Sequence, residues 1–235
     1  MLHPKLKALA DRIGDEELRG KVIEFMENPV FEIDGEEYSG LGFDVSPAGL
    51  SRHHCYKGGY VEHIVSTANI AMAMCRSVEE VYHGKVNRDL VIAGVLIHDI
   101  FKPATYTANE DGSYGSSHLA DYLDHLSLAS IELVRRGFPL ELVHLVAAHH
   151  GNYGPISPHS VEALICHLSD LADSRLNGQV LTAAKYLTRK AVGEELRGLT
   201  SKEAFEIVHS KTIKGWPGVE DTVDRIRHNR RQRKT

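Results

Sequence analysis

Apolar residues recur along most of the chain at the spacing of helices. From position 60 onward they fall three or four residues apart, at Val61, Ile64, Val65, Ala68, Met72 and Cys75. This period is typical of one buried helical face. A second helix is predicted between Asn87, which can cap its first turn, and Pro103, because the residue before a proline avoids helical dihedral angles. Residues 90–97 are apolar apart from one glycine, which indicates a buried helix.

The rest of the pattern predicts further helices separated by polar segments. The segments at 4–27, 118–136, 139–150, 159–176, 178–192 and 201–210 are predicted as helices, the first broken near Gly14. Turn residues within 30–50 indicate an irregular loop or a small hairpin, and the polar segment 104–117 indicates a loop. The basic tail from Arg225, RIRHNRRQRKT, is expected to fray. We therefore predict an all-α fold.

Composition narrows the class of protein. The net charge is −5 over 235 residues, which argues against a generally basic surface, so a nucleic acid partner is possible but not favoured. No apolar run reaches the roughly 20 residues that a membrane helix needs, and we expect no membrane partner. The three cysteines form no CxxC pair and the first residues contain no apolar leader, so we expect a cytoplasmic protein.

Histidines are the first sign of chemistry. The chain has 15 of them, and 12 lie between His53 and His167. His98 and Asp99 stand side by side at the end of the predicted buried helix, where both can reach one point beside the helix end. An imidazole nitrogen and a carboxylate oxygen together suit a divalent transition metal.

Two ligands do not complete a metal site, and two helical positions elsewhere offer partners. His63 lies near the start of the first long helix. Asp170 lies on a face that the apolar pattern predicts to be buried, flanked by Leu164, Ile165, Leu168 and Leu171. A buried carboxylate needs a partner, because an unpaired buried charge is costly. Asp173 is the alternative to Asp170, either as a ligand or as a support for one.

A second group of histidines predicts a second metal. His149 and His150 close one helix, and His125 or His118 could join them, with Asp99 as the bridging carboxylate. Two adjacent metals stabilise both the attacking and the leaving oxygen of a phosphoryl transfer.

With these residues in place, the chain resembles the HD-domain metal-dependent phosphohydrolases. The stretch HDIFK matches the His-Asp-x-x-Lys form of that family, and His63, His98, Asp99 and Asp170 follow its order over roughly residues 50–175. The stretches HHCYKGGYVEHIVSTANIA and HHGNYGPISPHSVEALICHLSDLADS are similar to the HD domains of certain 3′–5′ exoribonucleases. His125, His149 and His150 resemble members with two metals. Archaeal dihydroneopterin cyclic phosphate phosphodiesterases are another similar group.

The resemblance implies an HD-type helical bundle and an organisation for the chain. Residues 51–176 would form the metal-binding core, with a helical and loop extension at 1–50. Residues 177–235 would supply C-terminal helices and the basic tail, packed with the core as one domain. The implied cofactor is one or two divalent transition metals (Fe, Mn, Zn, Ni or Co), with Fe or Mn favoured.

The resemblance also implies a reaction. It is hydrolysis of a small nucleotide-like or cyclic phosphate by a metal-activated water, with a phosphodiester favoured. Asp99, holding the attacking water, and Lys102, neutralising phosphate charge, would be the catalytic residues. Arg52, His53, His54, Lys57 and Lys102 would bind the substrate. Two alternatives stay open: a nucleotidase or nucleoside triphosphate hydrolase, and a non-catalytic module that senses a phosphorylated ligand. The sequence does not indicate an oligomeric state.

Overall fold

The computed structural model describes residues 1–232 and confirms the helical fold. Within these residues the α-helices are α1 (Pro4–Ala10), α2 (Glu16–Glu27), α3 (Gly59–Glu80), α4 (Arg88–Ile97), α5 (His125–Arg135), α6 (Leu140–Ala147), α7 (Val161–Val192) and α8 (Ser201–Gln232). Two antiparallel hairpins pair β1 (Phe31–Ile33) with β2 (Glu36–Tyr38) and β3 (Tyr106–Ala108) with β4 (Tyr114–Ser116). Short 3₁₀ turns occupy Lys102–Thr105, His118–Asp121 and Gly151–Tyr153.

Polar side chains start the helices that build the centre of the molecule. Asn87 Oδ1 accepts a hydrogen bond from the Leu90 N–H at 3.0 Å, which confirms the predicted cap of α4. Ser160 Oγ does the same for the Ala163 N–H at 3.1 Å, at the start of α7. Each bond satisfies an amide that the first helical turn leaves without a backbone partner.

Helices α4 and α6 approach each other closely at a glycine. A Cβ atom on Gly94 would lie 2.1 Å from Cδ2 of Leu145, so a side chain there would force Leu145 to shift. This contact brings the two helix ends together, and the rings of His98 and His149 lie 4.9 Å apart between centroids.

Several predicted boundaries were wrong. The segment 104–117 contains the β3–β4 hairpin, and the helix predicted from 118 begins at His125 after a 3₁₀ turn. The two helices predicted at 159–176 and 178–192 are one continuous helix, α7. Gly178 therefore does not interrupt the helix, since one glycine costs only about 1 kcal/mol and tertiary packing can supply that.

The C-terminal region folds back on itself instead of fraying. Helical geometry in α8 is interrupted at Gly215. Arg230 beyond the kink lies 2.6 Å from the Glu203 carboxylate before it, and Arg225 pairs with Glu206 at 3.2 Å. The basic tail is thus an ion-paired helix as far as Gln232, and residues 233–235 of the predicted tail lie outside the described residues.

In the described part of the chain, buried apolar residues form two clusters. The larger cluster joins α1 to α6 with the first turns of α7, and the smaller one joins the second half of α7 to α8. No helix within residues 1–232 has the length and apolar character needed to cross a membrane.

Candidate metal centre

Three histidines turn their Nε2 atoms toward one buried space in the bundle. The other ring nitrogen of each, Nδ1, is held by a hydrogen bond. Nδ1 of His98 lies 2.9 Å from the Val95 carbonyl, and Nδ1 of His149 lies 2.7 Å from the Val146 carbonyl. Nδ1 of His63 lies 2.7 Å from Oδ2 of Asp173. In each case the oxygen accepts an N–H from Nδ1, which leaves the Nε2 lone pair free to bind a metal.

The first cluster consists of the four residues predicted as the first ligand set. The Nε2 atom of His63 lies 3.3 Å from both Asp99 Oδ2 and Asp170 Oδ1, and 3.4 Å from Nε2 of His98. One ligand atom from each of the four residues falls within 4.8 Å of the others. Helices α3, α4 and α7 supply these groups, so packing of the bundle sets their geometry.

The second cluster consists of His125, His149 and His150, again within 4.8 Å of one another. Oδ1 of Asp99 lies 3.3 Å from Nε2 of His125 and 3.6 Å from Nε2 of His149. Asp99 therefore presents one carboxylate oxygen to each cluster. His118 is exposed on a 3₁₀ turn and belongs to none of the potential metal-binding groups found within residues 1–232.

Unsatisfied buried atoms test whether a metal suits this site. Within residues 1–232 both oxygens of Asp99, Nε2 of His125 and Nε2 of His149 have no hydrogen-bond partner. Lys102 Nζ makes a charge contact with Asp99 Oδ2 at 2.6 Å without hydrogen-bond geometry. Buried polar atoms are rarely left unpaired, and imidazole nitrogens with carboxylate oxygens are donors for divalent transition metals. The residues present fit such an ion.

The charges of the first cluster favour a cation. Burial acts to lower the pKa of His63, but Asp170, Asp173 and Asp99 outweigh burial and raise this pKa well above its usual value. Burial acts to raise the pKa of Asp99, but Lys102 and His98 hold it well below its usual range. The three carboxylates therefore favour a positive charge at this position, which is what a divalent ion would supply.

Burial keeps two histidines of the second cluster, and His53 beside the first cluster, in the neutral form. Burial lowers the pKa of His149, and burial with the neighbouring His149 and His125 lowers the pKa of His150 to about 3. Burial with the nearby Lys102 lowers the pKa of His53 to about 4. Neutral imidazole is the form that ligates metals.

The predicted substrate-binding residues divide into two sets. His53 and His54 lie at the centre, with both rings 5.4 Å from the ring of His63. Arg52 and Lys57 are exposed, and neither side chain makes a hydrogen bond or ion pair in the part of the chain described. Lys102 lies in the 3₁₀ turn after α4, and its side chain is 11% exposed.

The face of α7 that carries Asp170 differs from the prediction. Leu164 and Leu168 are 46% and 39% exposed, so the leucines do not form its buried side. The buried residues of this half are mostly small or polar: Ala163, Ile165, Cys166, Ser169, Asp173 and Asn177. Polar partners inside the bundle decide which face of α7 turns inward.

Two further residues near the site were not predicted from the sequence. Oδ1 of Asn177 accepts a hydrogen bond from the His54 N–H at 2.7 Å. Its helical spacing from Asp170 and Asp173 could have indicated that it lies on the same face of α7. Tyr106 lies near Lys102 and Asp99, and burial raises the pKa of its phenol. No motif marks Tyr106, because it follows an irregular turn.

Fold and site together define a class of helical proteins with a buried histidine–aspartate centre suited to divalent metals. The family model described as HD domain matches residues 60–190. The chain belongs to the HD-domain family, and this membership indicates a metal-dependent phosphohydrolase.

Two kinds of characterised relative are similar to this chain. The dihydroneopterin 2′,3′-cyclic phosphate phosphodiesterase of Methanocaldococcus jannaschii is 42% identical over 205 residues, which cover 87% of this chain and 80% of the relative. The 3′-5′ exoribonuclease YhaM of Oceanobacillus iheyensis is 34% identical over 143 residues, and that of Bacillus subtilis is 31% identical over 142. The match covers 56% of this chain and 43% of each exoribonuclease. No solved structure matches the chain.

Proposed function

We propose that this protein is a phosphodiesterase that hydrolyses a small cyclic phosphate ester. The observation that carries the proposal is Asp99, whose two oxygens face two separate clusters of metal-binding groups. A pair of metals sharing a carboxylate suits the attacking and leaving oxygens of a phosphoester. The relative that is 42% identical over most of both chains is named for a cyclic phosphate, which supports the choice of ester.

The proposal assigns ligands to each cluster. His63, His98, Asp99 and Asp170 would hold one ion, and Asp99, His125, His149 and His150 would hold the other. Fe or Mn suits a set of imidazole and carboxylate donors without a thiolate. A bound divalent ion lowers the pKa of water and polarises a phosphoryl oxygen.

The chain's own residues supply charge and orientation. Burial opposes the charge of Lys102, but Asp99 and Asp170 raise its pKa, so the ammonium stays charged at neutral pH. Lys102 would therefore neutralise phosphate charge and not act as a base. With its pKa at about 4, His53 is neutral and can hydrogen-bond a phosphate without adding charge.

A small substrate fits this chain better than RNA. The net charge is −5, and the relative that matches over most of both chains is named for a small cyclic phosphate. An acidic protein has no general electrostatic attraction for a polyanion.

The test is a comparison of esters on protein stripped of metal and reloaded anaerobically with Mn or Fe. We expect a 2′,3′-cyclic nucleotide to be cut fastest, bis-p-nitrophenyl phosphate more slowly, and the monoester p-nitrophenyl phosphate slowest. A preference for the monoester would instead indicate a nucleotidase. Stoichiometric metal without cleavage of any ester would indicate a sensor.

Asp99→Asn tests the shared carboxylate. The amide keeps the shape but loses the charge and one ligand oxygen, so metal affinity should fall by more than about 100-fold, the upper range for losing an outer partner of a ligand. Cleavage should fall with it while the helical circular dichroism signal persists. Metal content by mass spectrometry and turnover measure both, and Asp121→Asn on an exposed 3₁₀ turn is the control. Retained activity would contradict the assignment.

A further inference from the structure

The segment that carries His53 and His54 is held in an unusual backbone conformation. We call residues 52–54 the histidine segment. His54 is 3% exposed and has a φ of 45°, in the left-handed region that residues with a side chain seldom adopt. Such a conformation persists only where surrounding contacts enforce it.

Asn177 on α7 supplies the central contact. Its Oδ1 accepts the His54 N–H at 2.7 Å, and its Nδ2 donates to Ser201 Oγ at 2.6 Å. The next residue is Gly178, where a Cβ atom would lie 3.0 Å from the Arg52 carbonyl oxygen. This turn of α7 is therefore shaped to receive the backbone of the histidine segment.

The hydrogen bonds continue in one direction to a carboxylate. Tyr56 donates to Glu62 Oε2 at 2.8 Å, so its oxygen is left to accept the short hydrogen bond from Ser201. The chain thus runs from the His54 N–H through Asn177, Ser201 and Tyr56 to Glu62. Hydrogen bonds aligned in this way polarise and strengthen one another. They tie the histidine segment to α3, α7 and α8 together.

We propose that Asn177 is a positioning residue, which holds the histidine segment against α7 so that His53 faces the first metal-binding cluster. The inference rests on the proposed function, because it assigns His53 to the phosphate. His53 lies on the inner side of the segment, with its Nδ1 3.3 Å from Nδ1 of His54 and its ring beside that of His63. Asn177 acts on the substrate only through this segment.

The test measures phosphate affinity and local opening on the metal-loaded full chain. In Asn177→Ala we expect the dissociation constant of inorganic phosphate and the KM for bis-p-nitrophenyl phosphate to rise about tenfold, as for one lost buried hydrogen bond. Metal content and kcat should stay within about twofold. Hydrogen exchange should speed up about tenfold in peptides covering 48–57 and stay unchanged in α4. Gly178→Ala should act in the same direction, and the exposed neighbour variant Gln179→Ala should change nothing.

A double variant separates positioning from simple bracing. If Asn177 acts through His53, then Asn177→Ala with His53→Ala should bind phosphate no more weakly than His53→Ala alone. Unchanged exchange in 48–57 would overturn the inference, and so would faster exchange with unchanged phosphate affinity or additive losses in the double variant. If the wild type binds phosphate but cuts no ester, the proposed function fails while the phosphate measurements still decide this inference. A wild type that cuts esters but does not bind phosphate overturns this inference alone.

Discussion

Two aspartates on one face of α7 serve opposite sides of a single imidazole. Asp170 lies 3.3 Å from Nε2 of His63, the nitrogen that faces the clusters, and Asp173 lies 2.7 Å from Nδ1. Asp173 fixes the tautomer and the ring orientation, and Asp170 shares the space where the Nε2 lone pair points. A spacing of three residues along the helix is thus enough to place one aspartate at each nitrogen of the ring.

Their asparagine variants should therefore differ. Asp170→Asn should remove metal from the first cluster, since it takes away a proposed ligand. Asp173→Asn should weaken metal affinity by about 10–100-fold, the range for an outer partner of a ligand histidine. Titration with Mn, followed by calorimetry, measures both. Equal losses in the two variants would mean that Asp173 binds the ion directly.

The four residues of the first cluster and a supporting role for Asp173 could be predicted at this scale, whereas Asn177 could not. His63, His98, Asp99 and Asp170 form an ordered motif of polar residues within helical patterns. Asn177 is an ordinary polar helix residue whose role depends on the His54 N–H, 123 positions away in the chain. Its helical spacing from Asp170 and Asp173 is the one local signal, and that spacing does not reveal that its Oδ1 accepts a hydrogen bond across the bundle.

At the scale of elements, a close contact between two helices supports the pair of clusters. Gly94 lets α4 pack against Leu145 of α6, and each helix is followed within two residues by a histidine whose Nδ1 donates to the carbonyl three residues earlier. The two helix ends thus carry equivalent ligands into the space between the clusters. Displacing one helix would move His98 relative to His149.

Gly94→Ala should destabilise the protein although alanine favours helices. The gain in helix propensity is about 1 kcal/mol, but crowding in a packed core costs about 1–3 kcal/mol and here falls on Leu145. We expect a net loss of about 1 kcal/mol in the free energy of unfolding, together with weaker metal binding. Urea unfolding measures it. Gly20→Ala in α2, where the Cβ meets nothing within 4 Å, should instead stabilise the protein slightly.

Helix α7 shows why the spacing of apolar residues predicted the wrong buried face. Leu164 and Leu168 have helical spacing, yet each is more than a third exposed. Around Asp170 much of the buried side consists of small and polar residues, because room is needed there for aspartates and their partners. Apolar spacing predicts the existence of such a helix better than its orientation.

At the scale of the whole molecule, ion pairs hold the two parts of α8 against each other. Glu203 accepts hydrogen bonds from Arg230, at the far end of α8, and from the Thr200 N–H. Partial burial acts to raise the pKa of Glu203, but these bonds outweigh burial and lower it. Basic residues of the tail thus form ion pairs within the fold.

The Glu203 pair should make stability depend on pH. A lowered pKa means that the folded state binds the proton less readily than the unfolded chain. The contribution is therefore complete above the ordinary value of 4.5 and is lost as pH falls through the lowered pKa. The difference in unfolding free energy between wild type and Glu203→Gln should be roughly 1 kcal/mol at pH 7 and shrink toward pH 3. The exposed Glu220→Gln is the control, and a difference that grows in acid would contradict the assignment.

Metal removal should lower the stability of the whole molecule. An ion that binds only the folded state adds about 2.7 kcal/mol when present at 100 times its dissociation constant. For a chain of this size, each kcal/mol corresponds to about 2–4 °C in Tm. Scanning calorimetry with Mn and with EDTA should show this shift in the wild type and not in Asp99→Asn. A Tm independent of metal in the wild type would count against both clusters.

Helix α7 also limits how the protein can be divided. It contributes Ala163, Ile165 and Cys166 in its first turns to the larger apolar cluster and the residues around Leu181 to the smaller one. The core predicted at 51–176 ends midway along this helix, so a fragment cut there would expose a helical end that normally continues into the second cluster. The hydrolase centre is therefore not a module that can be moved alone into another protein, and a transplant would have to include α8.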